Sequence, residues 1–159
     1  MMDVKNLPNE FQMMDVEKIC ELKRTRLQTW MERGWIVPSI QKATGHGTRN
    51  IWNRQDLYNI AIFKKITESG WSREVAGDFL VSGVLFFHER VDDIKFIVYM
   101  RHENSVRAAA LTYNEGDDIK IDIEHLQDNL DMKEFDDMYV INFVKLRTYI
   151  DEKIKKIKR

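Results

Sequence analysis

The chain has almost no cysteine, because Cys20 is the only thiol among its 159 residues. A single thiol cannot form a disulfide within the chain, and a thiolate metal centre needs several cysteines. We therefore expect neither a disulfide-stabilised domain nor thiolate metal sensing. Cys20 lies within an apolar helical pattern, and this position predicts a buried, inert side chain.

Long apolar runs are also missing, since none approaches the roughly 18 residues that a membrane-spanning helix needs. The N-terminus has no basic segment followed by an apolar one, so we expect a cytoplasmic protein without a membrane partner. The sequence contains no glycine-rich phosphate loop, no nucleophile elbow and no helical pair of metal-binding histidines. We accordingly expect no enzyme activity, no cofactor and no bound metal.

The net charge is only −1, but it is unevenly distributed along the chain. Residues 18–54 contain eight basic and two acidic residues, a balance of +6, whereas residues 84–136 have a balance of −7. A basic segment in an otherwise acidic chain indicates a local site for a polyanion, although a solvated charged face would give the same count. The acidic segment would repel DNA, so we expect it to point away from a duplex.

Apolar periodicity predicts short helices in the first half of the chain. The first is expected over about residues 14–21 and the second over about residues 24–33, with Gly34 as the breaker. The inner face of the second helix is predicted to contain Leu27, Trp30 and Met31. Its outer face then carries small or hydrogen-bonding side chains, namely Thr25, Gln28, Thr29 and Glu32.

A hairpin is predicted after this helix. The stretch ATGHGTRNIW has a glycine-containing tip between two β-prone runs, residues 35–37 and residues 49–52. Asn53 is expected to cap a helix over about residues 54–69, and Ser72 a shorter one that extends to about residue 80. Two short helices, a hairpin and two further helices are the order of a winged helix-turn-helix.

The second half of the chain changes period. Three runs are rich in β-formers, residues 94–100, 106–113 and 119–123, and the turn sequence Asn-Glu-Gly-Asp predicts that the last two pair in antiparallel fashion. A helical pattern returns from about residue 135 to residue 158. Its apolar stripe consists of Phe143, Leu146, Ile150, Ile154 and Ile157. A narrow stripe on a long helix is typical of pairing between chains, so we assign it to homodimerisation, with packing on the chain's own sheet as the alternative.

These patterns predict an α+β protein with an N-terminal winged helix-turn-helix, a small antiparallel β unit and a long C-terminal helix. The expected domains are a mobile arm over residues 1–12, a DNA-binding domain over 13–83 and a dimerisation or effector domain over 84–159. The β unit could hold a small molecule or dock a protein, and the sequence leaves the nature of such an effector open.

The segments TRLQTWMERGWIVPS and GTRNIWNRQDL resemble the DNA-binding region of the MerR-like family of bacterial transcription regulators. The shared landmarks occur in order, namely Leu27, Trp30, Gly34, Pro38, Trp52, Asp56 and Leu57. The segment KKITESGWSREVA is similar to the paired helices that follow the family's wing, so the resemblance covers about residues 13–80. Members of this family bind double-stranded DNA as dimers, with the second helix in the major groove and the wing on phosphates.

The resemblance implies residue roles and also leaves room for rival functions. It implies DNA contacts from Arg24, Thr25, Gln28 and Thr29 on the second helix, and from Arg49 and Arg54 near the wing. Gln28 and Asn50 stand where the family has cations, and this favours the alternative of a protein–protein adaptor that no longer binds DNA. An architectural recombination factor is a third hypothesis, against which the length of the second half counts.

Overall fold

The structure is a computed structural model that describes residues 7–81, 91–103, 105–112, 123–131 and 133–157. Within these ranges the chain forms six helices and three strands. In chain order they are α1 (Met13–Cys20), α2 (Arg24–Glu32), α3 (Arg54–Glu68), α4 (Arg73–Val81), β1 (Ile94–His102), β2 (Ser105–Thr112), α5 (Ile123–Asn129), β3 (Asp137–Asn142) and α6 (Phe143–Lys156). The α+β class predicted from the sequence is confirmed.

The three strands form one antiparallel sheet in the order β2-β1-β3. Tyr99 in the central strand pairs with Ala108 on one side and with Tyr139 on the other. Side chains alternate across β1, so that Ile97 and Tyr99 join the main core while Val98 and Met100 join a smaller cluster with Leu126. The sheet is therefore covered by apolar side chains on both faces.

The predicted helix from residue 135 is wrong in its first third, because β3 occupies residues 137–142. The alternating sequence DMYVIN suits a strand, and pairing with β1 satisfies its backbone. The helix begins at Phe143, and the Asn142 side chain caps it by accepting from the backbone N–H of Lys145 at 2.9 Å. The strand predicted over residues 119–123 and its turn lie outside the described residues, apart from Ile123, which begins α5.

The helices of the first half lie within one or two residues of their predicted bounds. Asn53 caps α3 as expected, because its side chain accepts from the backbone N–H of Asp56 at 2.8 Å. The Asp56 carboxylate returns the bond by accepting from the backbone N–H of Asn53 at 2.9 Å, which completes a capping box. Ser72 likewise caps α4, since its hydroxyl accepts from the backbone N–H of Val75 at 3.2 Å.

The hairpin is displaced from its predicted position. Ile51 pairs with Gln41 rather than with residues 35–37, through two backbone hydrogen bonds of 2.8 and 3.1 Å. Trp35 instead turns inward and stacks on Phe63, with 5.8 Å between ring centroids. Pro38 cannot donate a ladder hydrogen bond, so the chain bends before the pairing begins.

One hydrophobic core contains residues from both halves of the chain, including Leu27 and Phe63 from the first and Ile97 and Phe143 from the second. Phe11, assigned to a mobile arm, is only 2% exposed and pairs with Trp52 through the backbone, so this residue belongs to the folded unit. The four tryptophans pack in or against this core.

The dimerisation stripe of α6 is also part of this core. Phe143, Ile150 and Ile154 are at most 1% exposed, and Leu146 and Ile157 pack against them. These side chains cover β1, α1 and α3 of the same chain. Packing within the chain, the alternative given above, is therefore the arrangement observed, and pairing between two chains stays a prediction.

Among the residues that the structure describes, no helix combines the length and the apolar character that crossing a membrane requires.

Candidate nucleic-acid interface

The second helix is anchored by its apolar face. Leu27 is fully buried and Trp30 is 2% exposed, with the Trp30 ring 4.6 Å from that of Phe63 in an edge-on contact. The helix ends in a left-handed residue, Gly34, at φ 74°. Backbone bonds from Gly34 to Met31 (3.0 Å) and from Trp35 to Trp30 (3.0 Å) complete a Schellman motif, so both the orientation and the length of α2 are defined.

The opposite face of α2 is polar and exposed. Arg24, Thr25, Gln28 and Thr29, the four residues implied to contact DNA, are all exposed. The Thr29 hydroxyl donates to the carbonyl oxygen of Thr25 at 2.9 Å, so its oxygen is left as an acceptor towards a ligand. Within the described residues the Gln28 carboxamide has no hydrogen-bond partner. The face therefore presents donors and acceptors that the fold itself leaves mostly unused.

Arg24 has an acidic neighbour in the same chain. Its Nε and Nη2 atoms donate to Glu17 of α1 at 3.2 and 2.8 Å, and half of its side chain remains exposed. Exposed ion pairs of this kind contribute little to stability, because water and salt screen them. The guanidinium can therefore exchange Glu17 for another anion at small cost.

A cleft of about 530 Å³ beside α2 contains three cations that the sequence analysis did not assign to a site, Lys23, Arg26 and Arg73. A second cleft of about 400 Å³ shares Arg26, Trp30 and Arg73 with it, so the two are continuous. Arg26 belongs to the same basic segment as Arg24, so the charge pattern of the sequence could have assigned it to this site. Arg73 is 47 residues further along, at the start of α4, and only the tertiary fold brings it to this surface.

The loop between Gln41 and Ile51 is held by its own side chains. The backbone N–H groups of Thr44 and Gly45 donate to the Thr48 hydroxyl at 2.8 and 3.0 Å. The Asn50 side chain accepts from the backbone N–H of Ala43 at 2.8 Å across the loop. Asn50 therefore has a structural role in the loop, which explains a neutral residue at this position.

Arg49 lies on the outer side of this loop and is exposed. Its Nη1 atom donates to the carboxamide oxygen of Gln12 at 3.2 Å, a neutral partner. Among the described residues it forms no ion pair, so its positive charge is available to an external anion.

Arg54 does not fit the role that the resemblance implied for it. Its guanidinium forms a bidentate ion pair with Asp151 (3.0 and 2.7 Å) and lies 5.5 Å from the ring centroid of Tyr58. Burial works against the charged form, but Asp151 and Tyr58 together outweigh it and raise the pKa of Arg54 above its ordinary value. Because its side chain is only 18% exposed and already paired, we remove Arg54 from the candidate interface.

The described residues offer little for metal or thiol chemistry. They contain no cluster of three or more histidine, cysteine or acidic side chains that could hold a metal ion. Cys20 is 4% exposed, and burial raises its pKa from 9.0 to about 12. The prediction that Cys20 is buried is confirmed, and a thiol that keeps its proton is a poor nucleophile.

Neither comparison, with protein-family models or with curated proteins, gives a match to this chain.

Proposed function

We propose that this protein is a sequence-specific DNA-binding transcription regulator of the MerR-like type. In this proposal α1 and α2 form the helix-turn-helix, the loop between Gln41 and Ile51 is the wing, and α2 enters the major groove. The observation that carries the proposal is the two-sided character of α2. Leu27 and Trp30 fix the helix in the core, while Thr25, Gln28 and Thr29 remain exposed on the opposite face.

The side chains on this face have the chemistry that base recognition uses. A carboxamide such as that of Gln28 can form two hydrogen bonds with the edge of an adenine, and threonine contacts several bases. Contacts to base edges carry sequence information, whereas contacts to phosphates only position the protein. We therefore assign specificity to Thr25, Gln28 and Thr29.

Four cations supply the phosphate contacts in the proposal, Arg24 and Arg26 of α2, Arg49 of the loop and Arg73 of α4. Arg26 and Arg73 line one cleft together with Thr25 and Thr29 of α2. If each protomer of a dimer used all four, the slope of log affinity against log salt would be about −7. Homodimerisation stays in the proposal, with an interface other than the apolar stripe of α6.

Selection of bound fragments from a pool of random duplexes tests the proposal. We expect enrichment of one sequence motif, and we expect the double variant Arg24→Ala, Arg49→Ala to lose retention of the selected duplex while its thermal unfolding is unchanged. Both side chains are exposed, so neither substitution removes core packing. Selection without any enriched motif, or full retention by a folded double variant, would contradict the proposal.

A protein–protein adaptor is the second candidate, and one observation favours it. Val37 and Ile40 are 53% and 44% exposed, and they lie just after α2 at the entrance to the loop. Apolar side chains at such a position suit a protein partner better than a phosphate backbone. An adaptor would bind all duplexes weakly and equally, so the same selection experiment distinguishes the two functions.

A further inference from the structure

A further groove lies between α3 and the C-terminal strand and helix, with a volume of about 520 Å³. Helix α3 contributes Ala61, Lys64, Lys65 and Glu68, whose spacings of three and four place them on one helix face. The opposite wall comes from β3 and α6, which contribute Val140, Asn142, Lys145, Leu146, Tyr149 and Ile150. Cys20 of α1 completes the lining.

The floor of this groove is apolar. Most of its lining surface belongs to carbon atoms, and the residues responsible include Ala61, Leu146 and Ile150. Ile150 is fully buried beneath the groove, whereas Tyr149 is 45% exposed at its edge. Leu146, which the sequence suggested for dimerisation, is therefore a wall residue of a concave surface within one chain.

The edge of the groove is basic. Its charged lining groups are Lys64, Lys65, Lys145 and Glu68, which leave a local balance of +2 in a chain whose net charge is −1. Lys64 is held by the carbonyl oxygens of Cys20 and Glu21, at 3.2 and 3.4 Å from its Nζ atom. Lys65 and Lys145 are exposed, and neither forms an ion pair with a described residue.

We propose that this groove binds a small amphipathic anion, whose apolar body covers Ala61, Val140 and Leu146 and whose carboxylate is held by the lysines at the edge. The volume lies within the range of roughly 300–1,000 Å³ that is usual for ligand sites. An apolar floor with a few charged groups at its edge fixes both the position and the orientation of such a molecule. The site uses none of the residues assigned to DNA, so it stands or falls independently of the proposed function.

Calorimetric titration with octanoate below its micelle concentration tests the ligand class, with 1-octanol and octylamine as probes of the same chain length. We expect one octanoate per chain, at least about tenfold weaker binding of octanol and no binding of octylamine, because only the carboxylate interacts with the lysines. Added salt should weaken binding of octanoate and leave binding of octanol unchanged. Equal affinity for octanoate and octanol, or no octanoate binding, would overturn the proposal.

Variants locate the site. The double substitution Lys65→Gln, Lys145→Gln should weaken octanoate binding by about tenfold. The matched control Lys155→Gln, Lys156→Gln removes the same charge from exposed positions of α6 that do not line the groove, and it should change the affinity less than twofold. A loss of affinity equal in both double variants would overturn the assignment of the two edge lysines.

Filling the groove provides an independent test of the apolar floor. Ala61→Leu adds volume from the α3 side and should weaken the binding of both octanoate and octanol by at least about tenfold. Val140→Phe should do the same from β3 if the first variant unfolds. Undiminished binding by either folded variant would place the ligand elsewhere. If a second copy of the chain occupied the groove instead, sedimentation would show a dimer. Octanoate would not dissociate this dimer, whereas the substitution Tyr149→Glu would. This result too would overturn the proposal.

Discussion

Arg54 and Asp151 join the first turn of α3 to α6 through two hydrogen bonds from one guanidinium to one carboxylate, at 3.0 and 2.7 Å. The Tyr58 hydroxyl donates a third bond to the same carboxylate at 2.7 Å. The sequence places Arg54 next to a wing and therefore near phosphate, whereas the fold places an acid 97 residues away beside it. The two halves of the chain are connected here by a mostly buried ion pair.

Removing the acid should destabilise the fold. Asp151→Ala leaves the Arg54 guanidinium and the Tyr58 hydroxyl without their partner, and we expect the free energy of unfolding to fall by about 3 kcal/mol in urea titration. The neighbouring exposed acid provides the control, since Glu152→Ala should stay within about 0.5 kcal/mol of the wild type. Similar stabilities for the two variants would show that the ion pair does not hold the halves together.

The pairing of Arg24 with Glu17 yields a prediction for DNA affinity. Glu17→Gln removes the internal competitor for the guanidinium and a negative charge beside the proposed interface, so affinity for the selected duplex should rise about threefold at low salt. Glu152→Gln, with the same change of charge on α6, should leave the affinity as it is. A weaker complex of Glu17→Gln with DNA would mean that Glu17 positions Arg24 instead of competing for it.

Gly77 in α4 provides a test of packing, because we expect its replacement by alanine to destabilise the protein, the opposite of the usual effect in a helix. An added methyl group would lie 2.7 Å from Cδ1 of the Trp35 ring. Glycine to alanine normally stabilises a helix by about 1 kcal/mol, but the clash should make Gly77→Ala destabilising by about 1–2 kcal/mol in chemical unfolding. A smaller side chain at position 35 should relieve the clash, so the loss should shrink in the double variant with Trp35→Leu. Stabilisation by Gly77→Ala would show that the Trp35 ring does not occupy this contact.

The burial of Cys20 leads to a prediction of how the free energy of unfolding depends on pH. Burial raises the pKa of the folded thiol from 9.0 to about 12, so the folded chain keeps a proton that the unfolded chain releases. This contribution is fully present below the unfolded pKa and is lost as the pH rises towards the folded one. Between about pH 8 and about pH 10 the wild type should therefore lose about 1.4 kcal/mol more than Cys20→Ala, measured by urea unfolding. Equal losses would mean that the thiol ionises in the folded state.

Local features of the first half could be predicted because each depends on neighbouring residues. The Asn53 cap, the Gly34 stop and the inner face of α2 all follow from side-chain chemistry within one or two helical turns. The polar outer face of α2 follows from the same periodicity, so the main part of the candidate interface could be identified without coordinates.

Tertiary contacts account for the features that could not be predicted. The sequence pattern predicts helix at β3, because its six residues gain their strand conformation only from pairing with β1, which lies about 40 residues earlier. The stripe of α6 has the same periodicity whether it packs on another chain or on its own core, and sequence alone does not distinguish the two. The sequence assigns Arg54 to the candidate interface and leaves Arg73 out, whereas the structure favours the reverse. The reason is the same, because the neighbours of both residues are distant in sequence.

The proposed function depends on contacts between the outer face of α2 and the edges of bases. The base preference of one variant tests these contacts most directly. Fragment selection should be run in parallel for the wild type, for Gln28→Ala and for Arg107→Ala, a control that removes an exposed cation from β2. We predict that Gln28→Ala loses preference at one position of each half-site and that Arg107→Ala keeps the complete motif. A motif unchanged by Gln28→Ala, with Thr25→Ala and Thr29→Ala equally without effect, would contradict the central claim.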